Sequence, residues 1–288
     1  MRVDLIDGTY ELFRHFYGQR DEKTRTGTAA VRGVLSTVLQ TIEGGASHIA
    51  VATDHVIESF RNRLWTGYKT SAGMDPALLA VFPLLEEALV AMGVATFAMV
   101  ELEADDALAT VAVVAAEDPA VEQVAIWTPD KDLGQCVRED GKIVQVDRRA
   151  GKVINADAVR EKFGVDPDSI PDFLALVGDS ADGFPGLPGF GAKTAALLLK
   201  HYKHIENIPD APGQWEVTVR GGGTLAATLA EHRELVALFK DLATLRIDRS
   251  MLNGVDELAW TGPTSNFAVV SKQFDGDFVA AKAAGLAS

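Results

Sequence analysis

The stretch Gly178–Ala196 holds the residues with the most chemical potential in this chain. Asp179 and Asp182 lie three residues apart, ahead of a glycine-rich turn at Gly186–Gly191. Carboxylates at that spacing can share a divalent cation. A glycine-rich turn that precedes a helix, here predicted from Lys193, exposes backbone N–H groups to an anion such as phosphate. The stretch therefore predicts a metal site beside a phosphate site, which suits chemistry on a phosphodiester.

The elements that would position further acids are visible in the first half of the chain. Short apolar runs predict strands at Val3–Ile6, His48–Thr53, Thr96–Met99 and Val124–Trp127, and amphipathic runs predict helices at Ala29–Glu43, Pro76–Met92 and Ala104–Glu117. A hairpin is predicted at Ile143–Val146 and Lys152–Ile154. This alternation predicts an α/β fold, with a mostly parallel central sheet flanked by helices.

Acidic residues fall where these strands end. In open parallel sheets, ligands bind beyond the carboxyl ends of the strands, and the acids placed there are Asp7, Asp54, Glu103, Asp105, Asp106, Asp130 and Asp132. Any one of them could simply cap a helix. Together with Asp179 and Asp182, however, they would repel one another severely without cations. Hard oxygen ligands favour Mg²⁺ or Mn²⁺, and two ions about 4 Å apart would clamp a phosphodiester and activate water.

The composition narrows the class of protein. The chain has 288 residues, a formal net charge of −14 and one cysteine, Cys136, so an internal disulfide is excluded and a reducing cytoplasm is favoured. We find no secretory signal and no membrane-spanning run. The acidic balance argues against nucleic acid, but two basic clusters argue for it: Arg61, Arg63 and Lys69, and then Lys193, Lys200 and Lys203 with His201 and His204. These clusters could equally be solvated surface.

The second half is predicted to be mainly helical, with helices at Asp168–Val177, Lys193–Tyr202 and Leu225–Thr244 and a loop at Asn207–Gly223. Taken in order, the residues resemble the 5′-nuclease superfamily, and the bacterial 5′–3′ exonuclease and flap endonuclease branch in particular. The matching pieces are Ile6–Gly8, Thr53–Asp54, Phe60–Arg61, Tyr68–Lys69, Glu101–Leu108, Thr128–Leu133 and Gly178–Ala196. That branch includes the N-terminal domain of DNA polymerase I, and the absence of a polymerase region makes this chain look like a stand-alone enzyme.

The resemblance implies a domain plan: a PIN-like 5′-nuclease core at 1–155 with a helical arch at about 56–90, then a helical DNA-binding region at 156–288 with a helix–three-turn–helix at about 172–202. It also implies that Asp7, Asp54, Glu103 and Asp105 surround the catalytic metal. A second metal would be served by Asp106, Asp130, Asp132, Asp179 and Asp182.

DNA contacts are implied in two places. Lys69 and Arg61 would contact phosphates at the base of the arch, and Tyr68 could stack on a base, although packing is the commoner role for such a residue. The helix–three-turn–helix would hold duplex backbone through Gly189, Gly191, Lys193 and Thr194. A potassium ion is common in this motif. Two departures stand out, Gly183 in place of the family's usual Asn and no Arg after the Tyr68–Lys69 pair.

The leading hypothesis is a monomeric, cytoplasmic, nucleoid-associated metal-dependent 5′ nuclease of replication and repair. It would hydrolyse DNA at flaps, nicks, gaps or ends, as exonuclease and flap endonuclease. Two alternatives stay open: a non-catalytic binder of DNA structure, and a related nuclease acting on RNA.

Overall fold

The computed structural model describes residues 1–287, and a parallel sheet forms its centre. The six strands of these residues are β1 (Arg2–Asp7), β2 (His48–Asp54), β3 (Ala95–Met99), β4 (Gln123–Trp127), β5 (Ile143–Asp147) and β6 (Lys152–Ile154). Their order across the sheet is β3-β2-β1-β4-β5-β6. β1 to β5 are mutually parallel, and β6 returns antiparallel to β5. The predicted fold class, including the hairpin, is confirmed.

Helices cover both faces of the sheet and form a separate layer at one end. They are α1 (Gly8–Tyr17), α2 (Gly27–Glu43), α3 (Arg61–Leu64), α4 (Pro76–Leu79), α5 (Phe82–Ala91), α6 (Ala104–Glu117), α7 (Ala156–Phe163), α8 (Ile170–Val177), α9 (Ala192–Tyr202), α10 (Gly222–Glu231), α11 (Arg233–Ala243), α12 (Phe267–Val270) and α13 (Asp277–Leu286). No helix of residues 1–287 combines the length and the apolar character needed to span a bilayer.

Three apolar clusters hold these layers together. The first packs α1, α2 and α5 on one sheet face, and the second packs α6 on the other face. The third joins α7 to α11 with Tyr68. The strands read as continuous apolar runs because both faces of a parallel sheet are covered.

Two predicted helices are each divided in the structure. The predicted helix Pro76–Met92 is α4 followed by α5, because Pro83 lies in the first turn of α5 and has no N–H to continue a preceding helix. The predicted helix Leu225–Thr244 is α10 and α11, since His232 between them leaves the helical region at φ −114° and ψ 25°. Between β2 and α5, the part of the chain that is described forms two one-turn helices, α3 and α4.

The C-terminal segment packs away from the helical layer. Leu245, Leu252, Val255 and Leu258 join the cluster under α6. Farther along, residues of α12 and α13 pack on the face that carries α2 and α5. The division at residue 155 stays a prediction, but the segment 245–286 lies, by its packing, with the α/β core.

Candidate metal centre

The carboxyl ends of the parallel strands deliver acids to one edge of the sheet. Asp7 ends β1, where its Oδ1 accepts from the Tyr10 amide at 2.8 Å and its Oδ2 from the Thr128 hydroxyl at 2.9 Å. Asp54 ends β2, and its Oδ1 accepts from the Ala104 amide at 2.8 Å. These bonds fix both carboxylates at the first turns of α1 and α6.

Asp7, Asp54, Asp105 and Asp130, here termed the first carboxylate group, lie close enough to perturb one another. Burial, with the charges of Asp54 and Asp130 adding to it, raises the pKa of Asp7 to about 7. The pKa of Asp105 stands well above its ordinary value, through burial and then through the charges of Asp130 and Asp7. Burial also raises the pKa of Asp54. The charge of Lys69 lowers the pKa of Asp54 and Asp105 but does not offset these effects, so the group is short of positive charge.

Asp132, Asp179 and Asp182, the second carboxylate group, form a compact set of ligand atoms. One oxygen from each lies within 4.8 Å of the others, and all three residues are buried. Oδ1 of Asp132 is buried and accepts no hydrogen bond from the described residues. The pKa of Asp132 is well above its ordinary value because of burial and the charges of Asp130 and Asp182. An unpartnered buried oxygen among such neighbours is a ready cation ligand.

Two lysines form ion pairs with the second carboxylate group. The Lys69 ammonium contacts Oε2 of Glu103 at 2.9 Å and Oδ1 of Asp182 at 3.1 Å, and the Lys131 ammonium lies 2.6 Å from Oδ2 of Asp179. Although burial opposes it, the charges of Glu103 and Asp182 hold the pKa of Lys69 well above its ordinary value. Lys69 thus lies inside the pocket with the predicted metal ligands.

The structure corrects two predicted roles, those of Asp106 and Arg61. Asp106 is fully buried and accepts hydrogen bonds from both terminal nitrogens of Arg61, at 2.7 and 2.8 Å, and from the amides of Glu103 and Arg246. The Nε of Arg61 donates to the Leu242 carbonyl at 2.8 Å, and the side chain is 1% exposed. Asp106 has no oxygen to spare for a metal and Arg61 cannot reach DNA, so the pair ties α3 and α6 to α11.

Tyr68 also differs from its predicted DNA contact. The residue is 3% exposed, and its hydroxyl donates towards Oε2 of Glu103 at 3.3 Å and Oδ2 of Asp182 at 3.2 Å. A ring buried in the helical cluster has no free face for a nucleobase. Tyr68 therefore orients two site carboxylates, and packing is its role in this structure.

The segment before Lys69 is docked on the loop after Asp182. The amide of Lys69 donates to the Asp182 carbonyl at 3.0 Å, and Nε1 of Trp65 donates to the Gly183 carbonyl at 3.0 Å. Gly183 has φ +84°, and a Cβ there would lie 2.0 Å from the Gly67 carbonyl oxygen. The departure from the family's Asn thus matches a backbone that leaves no room for a side chain.

The predicted helix–three-turn–helix joins α8 to α9 with an exposed turn. Gly189 is exposed with φ +84°, and Gly191 is the N-cap of α9 without a side-chain bond. Lys193 is exposed and Thr194 partly so. The Thr194 amide donates to the Gly191 carbonyl at 3.0 Å, and the exposed residues Gly191 and Lys193 lie at the start of the helix, where backbone amides can bind an anion. Contact with DNA at these residues stays a prediction.

The basic residues of this region divide into paired and unpaired ones. Lys203 pairs with Asp166, and His201 and His204 contact Glu216 and Asp172. Over residues 1–287, neither Lys193 nor Lys200 forms an ion pair. Their charges are therefore available to an external anion.

The donor set fits a hard divalent cation. Its atoms are carboxylate oxygens from several elements, with one of them buried and unpartnered at Asp132. Oxygen-only sites of this kind suit Mg²⁺ and Mn²⁺ better than zinc or copper. The raised pKa values of Asp7, Asp105 and Asp132 also favour a bound cation, because a nearby positive charge would stabilise the ionised form of these carboxyls.

Comparison with protein families gives the lineage of this arrangement. Residues 2–164 match the 5′-3′ exonuclease N-terminal resolvase-like domain, and residues 165–266 match the 5′-3′ exonuclease C-terminal SAM fold. The chain belongs to the 5′-3′ exonuclease family. The resemblance expected from the sequence is therefore confirmed.

The relatives of this chain include both DNA polymerases and proteins named 5′-3′ exonuclease. DNA polymerase I of Pseudomonas aeruginosa is 36% identical over 266 residues, which cover 88% of this chain and 28% of the polymerase. The chain thus spans little more than a quarter of that relative. The 5′-3′ exonuclease of Aquifex aeolicus is 33% identical over 208 residues, 71% of each chain.

A solved structure shares its fold with nearly the whole of this chain. The bacteriophage T5 flap endonuclease, in a pseudo-enzyme–product complex with DNA and metal ions, superposes with a TM-score of 0.65 at 17% identity. The match covers 99% of this chain and 98% of that one. At this identity the likeness concerns the fold.

Three residues that contact the pocket carboxylates were not among the site residues predicted from the sequence. Lys131 lies between two predicted ligands, Asp130 and Asp132, and its ion pair with Asp179 could have been sought from that spacing. Thr128 begins the same motif and holds Asp7. Ser59 donates to Oε1 of Glu103 at 2.6 Å, and no sequence pattern marks it.

Proposed function

We propose that this chain is a divalent-metal-dependent 5′ nuclease that hydrolyses DNA phosphodiesters at 5′ flaps, nicks and ends. The observation that carries the proposal is the pocket of buried carboxylates at one sheet edge, with Lys69 reaching into it. Family membership and a fold shared with a flap endonuclease solved with DNA and metal ions support it. Because carboxylate-held divalent ions activate water, the proposed reaction is attack on the phosphodiester by water.

The carboxylates would hold Mg²⁺ or Mn²⁺ in two positions. We assign one position to Asp7, Asp54, Glu103 and Asp105, and the other to the second group with Asp130. The chemistry supplied by divalent ions in such sites is activation of water and neutralisation of phosphate oxygens. Thr128 and the Tyr10 amide orient Asp7, while Tyr68 and Ser59 orient Glu103. These bonds keep the ligands in place before substrate arrives.

Lys69 would act on the substrate. Its side chain is 29% exposed, and its ammonium bridges Glu103 and Asp182. A scissile phosphate above the carboxylates would offer that ammonium an alternative anionic partner. The positive charge would then stabilise the negative charge that develops on the phosphate oxygens.

The exposed turn before α9 would hold the duplex. The exposed start of α9 at Gly191, with Lys193, Thr194 and Lys200, suits phosphates of the DNA backbone. Such contacts position a duplex without reading its sequence. We also propose that this turn binds a K⁺ ion and that residues at about 56–90 form the helical arch.

The decisive experiment is cleavage of a 5′-labelled DNA flap in Mg²⁺ by the wild-type chain, Asp130→Asn and the control Asp140→Asn. Asp140 is half-exposed and pairs with Arg138 away from the pocket. We expect Asp130→Asn to lose at least about a hundredfold in rate and the control to match wild type. An RNA flap tests the RNA alternative. Tight binding of the DNA flap by wild type without any cleavage would replace the nuclease by a DNA-structure binder.

A further inference from the structure

A groove with a volume of about 730 Å³ lies between α1 and the turn that joins β5 to β6. We call it the α1 groove. Its walls carry Tyr10, Arg14 and Tyr17 from α1, and Arg148 and Arg149 from the turn. None of these residues was singled out by the sequence motifs, and none is a ligand of the carboxylate pocket.

The α1 groove opens beside the carboxylate pocket. The amide of Tyr10 donates to Oδ1 of Asp7 at 2.8 Å, so the residue that lines the groove also orients a pocket carboxylate. On the other wall, Arg148 directly follows the end of β5, which runs parallel to β4. The side chain of Gln145 in β5 donates to the carbonyls of Thr128 and Asp130. Groove and pocket therefore share one edge of the sheet.

The groove holds cations that lack acidic partners. Arg14 is neutralised by Glu11, but neither Arg148 nor Arg149 forms an ion pair anywhere in residues 1–287. The Arg148 guanidinium lies 4.3 Å from the centroid of the Trp127 ring and donates to the Thr41 hydroxyl at 2.7 Å. Two unpaired cations side by side are unusual in a chain of net charge −14.

Arg148 is also incompletely satisfied. Its Nε is buried and has no hydrogen-bond partner among the described residues. Burial lowers the pKa of this guanidinium. The charges of Glu11 and Asp4 act on Arg148, but neither forms an ion pair with it, and a phosphate in the groove would give this half-buried cation a direct anionic partner. The geometry therefore favours an anionic ligand in the groove.

Aromatic rings lie beside these cations. Tyr17 is 47% exposed, with the Arg25 guanidinium 5.0 Å from its ring centroid, and Tyr10 is partly exposed. Exposed tyrosine rings next to arginines form the usual surface for single-stranded nucleic acid, in which bases stack while cations contact phosphates. A duplex offers stacked bases only at its ends, so these rings favour an unpaired strand.

We infer that the α1 groove binds the unpaired strand of a DNA substrate beside the reacting carboxylates. Arg148 and Arg149 contact its phosphates, and Tyr10 and Tyr17 stack on its bases. The inference rests on the proposed nuclease function for its substrate, but it concerns binding and is measured separately from cleavage. It makes substrate affinity depend on the length of the single-stranded tail.

The test is fluorescence anisotropy in EDTA with two labelled DNA probes, a nicked duplex and the same duplex with a single-stranded 5′ tail. The proteins are wild type, Arg149→Ala, Arg148→Gln and the control Lys272→Ala, which removes an exposed charge elsewhere. We expect each groove variant to weaken binding of the tailed probe about fivefold and to reduce the slope of log Kd against log salt by about 0.7 per lost contact. Binding of the untailed probe stays unchanged.

Folding is checked by the unfolding temperature of each variant, which matters most for Arg148→Gln because Arg148 packs on Trp127. Arg149 is exposed, so Arg149→Ala alone decides the matter if Arg148→Gln unfolds. Equal binding of both probes by wild type and Arg149→Ala overturns the inference. Tail-dependent binding without any cleavage in Mg²⁺ overturns the nuclease proposal and leaves the groove assignment standing.

Discussion

The negative charges of the two carboxylate groups are balanced in different ways. In the second group, Asp179 and Asp182 each have a lysine within 3.1 Å. In the first group, none of Asp7, Asp54, Asp105 and Asp130 has a lysine or arginine within ion-pair distance in residues 1–287. One group therefore carries its own counter-ions, whereas the other depends on protons or on cations from solution.

This difference indicates where an added cation gains most. Asp7 and Asp105 of the first group hold protons more strongly than ordinary carboxyls, because burial raises the pKa of Asp7 to about 7 and that of Asp105 well above its ordinary value. A divalent ion there meets uncompensated charge, but in the second group it must share carboxylates with ammonium groups. We therefore expect the first group to bind metal more tightly and to control the reaction more strongly.

The largest expected effect comes from removing a charge in the first group. Asp105→Asn should slow flap cleavage about a thousandfold and Asp179→Asn about tenfold, because Lys131 directly contacts Asp179, whereas no lysine or arginine of residues 1–287 lies within ion-pair distance of Asp105. Single-turnover rates over a Mg²⁺ titration measure both. Equal losses in the two variants would erase the distinction between the groups.

Lys69 sharpens the comparison at the point where the groups meet. Lys69→Met should slow single-turnover cleavage about a hundredfold at saturating metal, because the charge that stabilises the transition state is lost. Affinity for the DNA flap should change little. Lys142→Met is the matched control, since Lys142 lies at the opposite end of β5. A rate that recovered fully at high Mg²⁺ would make Lys69 a counter-ion only.

The gathering of acids at one edge was predictable from the sequence, because the strand ends can be read from apolar runs. Asp7 and Asp54 end β1 and β2 as expected, and the loop after β4 brings Asp130 to them. Parallel strands end at the same edge whatever their order, so the prediction did not need the sheet topology. Helix Ala104–Glu117 was predicted to the residue.

The role of Asp106 was not predictable from its position. Successive residues of a helix point about 100° apart, so Asp105 and Asp106 cannot both face the pocket. Which one turns away depends on what packs behind α6, and here that is Arg61 with the end of α11. These partners lie 45 and more residues away in sequence, where no local pattern links them. The packing of the C-terminal segment on the α/β core likewise depends on contacts between residues that lie far apart in sequence.

The pH dependence of stability tests the uncompensated charge of the first group. Carboxyls with raised folded-state pKa values bind more protons folded than unfolded, so the metal-free protein should lose stability as pH rises from about 4 towards 7. We expect the free energy of unfolding in EDTA to fall by roughly 2 kcal/mol over that range. Urea unfolding at several pH values measures it.

Divalent metal should remove that loss. Protons and cations compete for the same oxygens, so Mn²⁺ should stabilise the protein increasingly as pH rises. Asp105→Asn removes one of the raised groups and should flatten the EDTA curve. A free energy of unfolding in EDTA that stayed constant from pH 5 to 7.5 would show that the first group is not short of positive charge.

The smallest expected effect lies at Lys131, the counter-ion of the second group. Its side chain is 31% exposed and its ammonium contacts Asp179. Lys131→Met should therefore strengthen Mn²⁺ binding about threefold to tenfold, the limited range that solvent screening allows. Calorimetric titration with Mn²⁺ measures the affinity without reference to turnover. Lys142→Met again serves as control. If metal affinity falls instead, Lys131 holds Asp179 in its ligating position, and the second group is organised by its lysine rather than protected from metal by it.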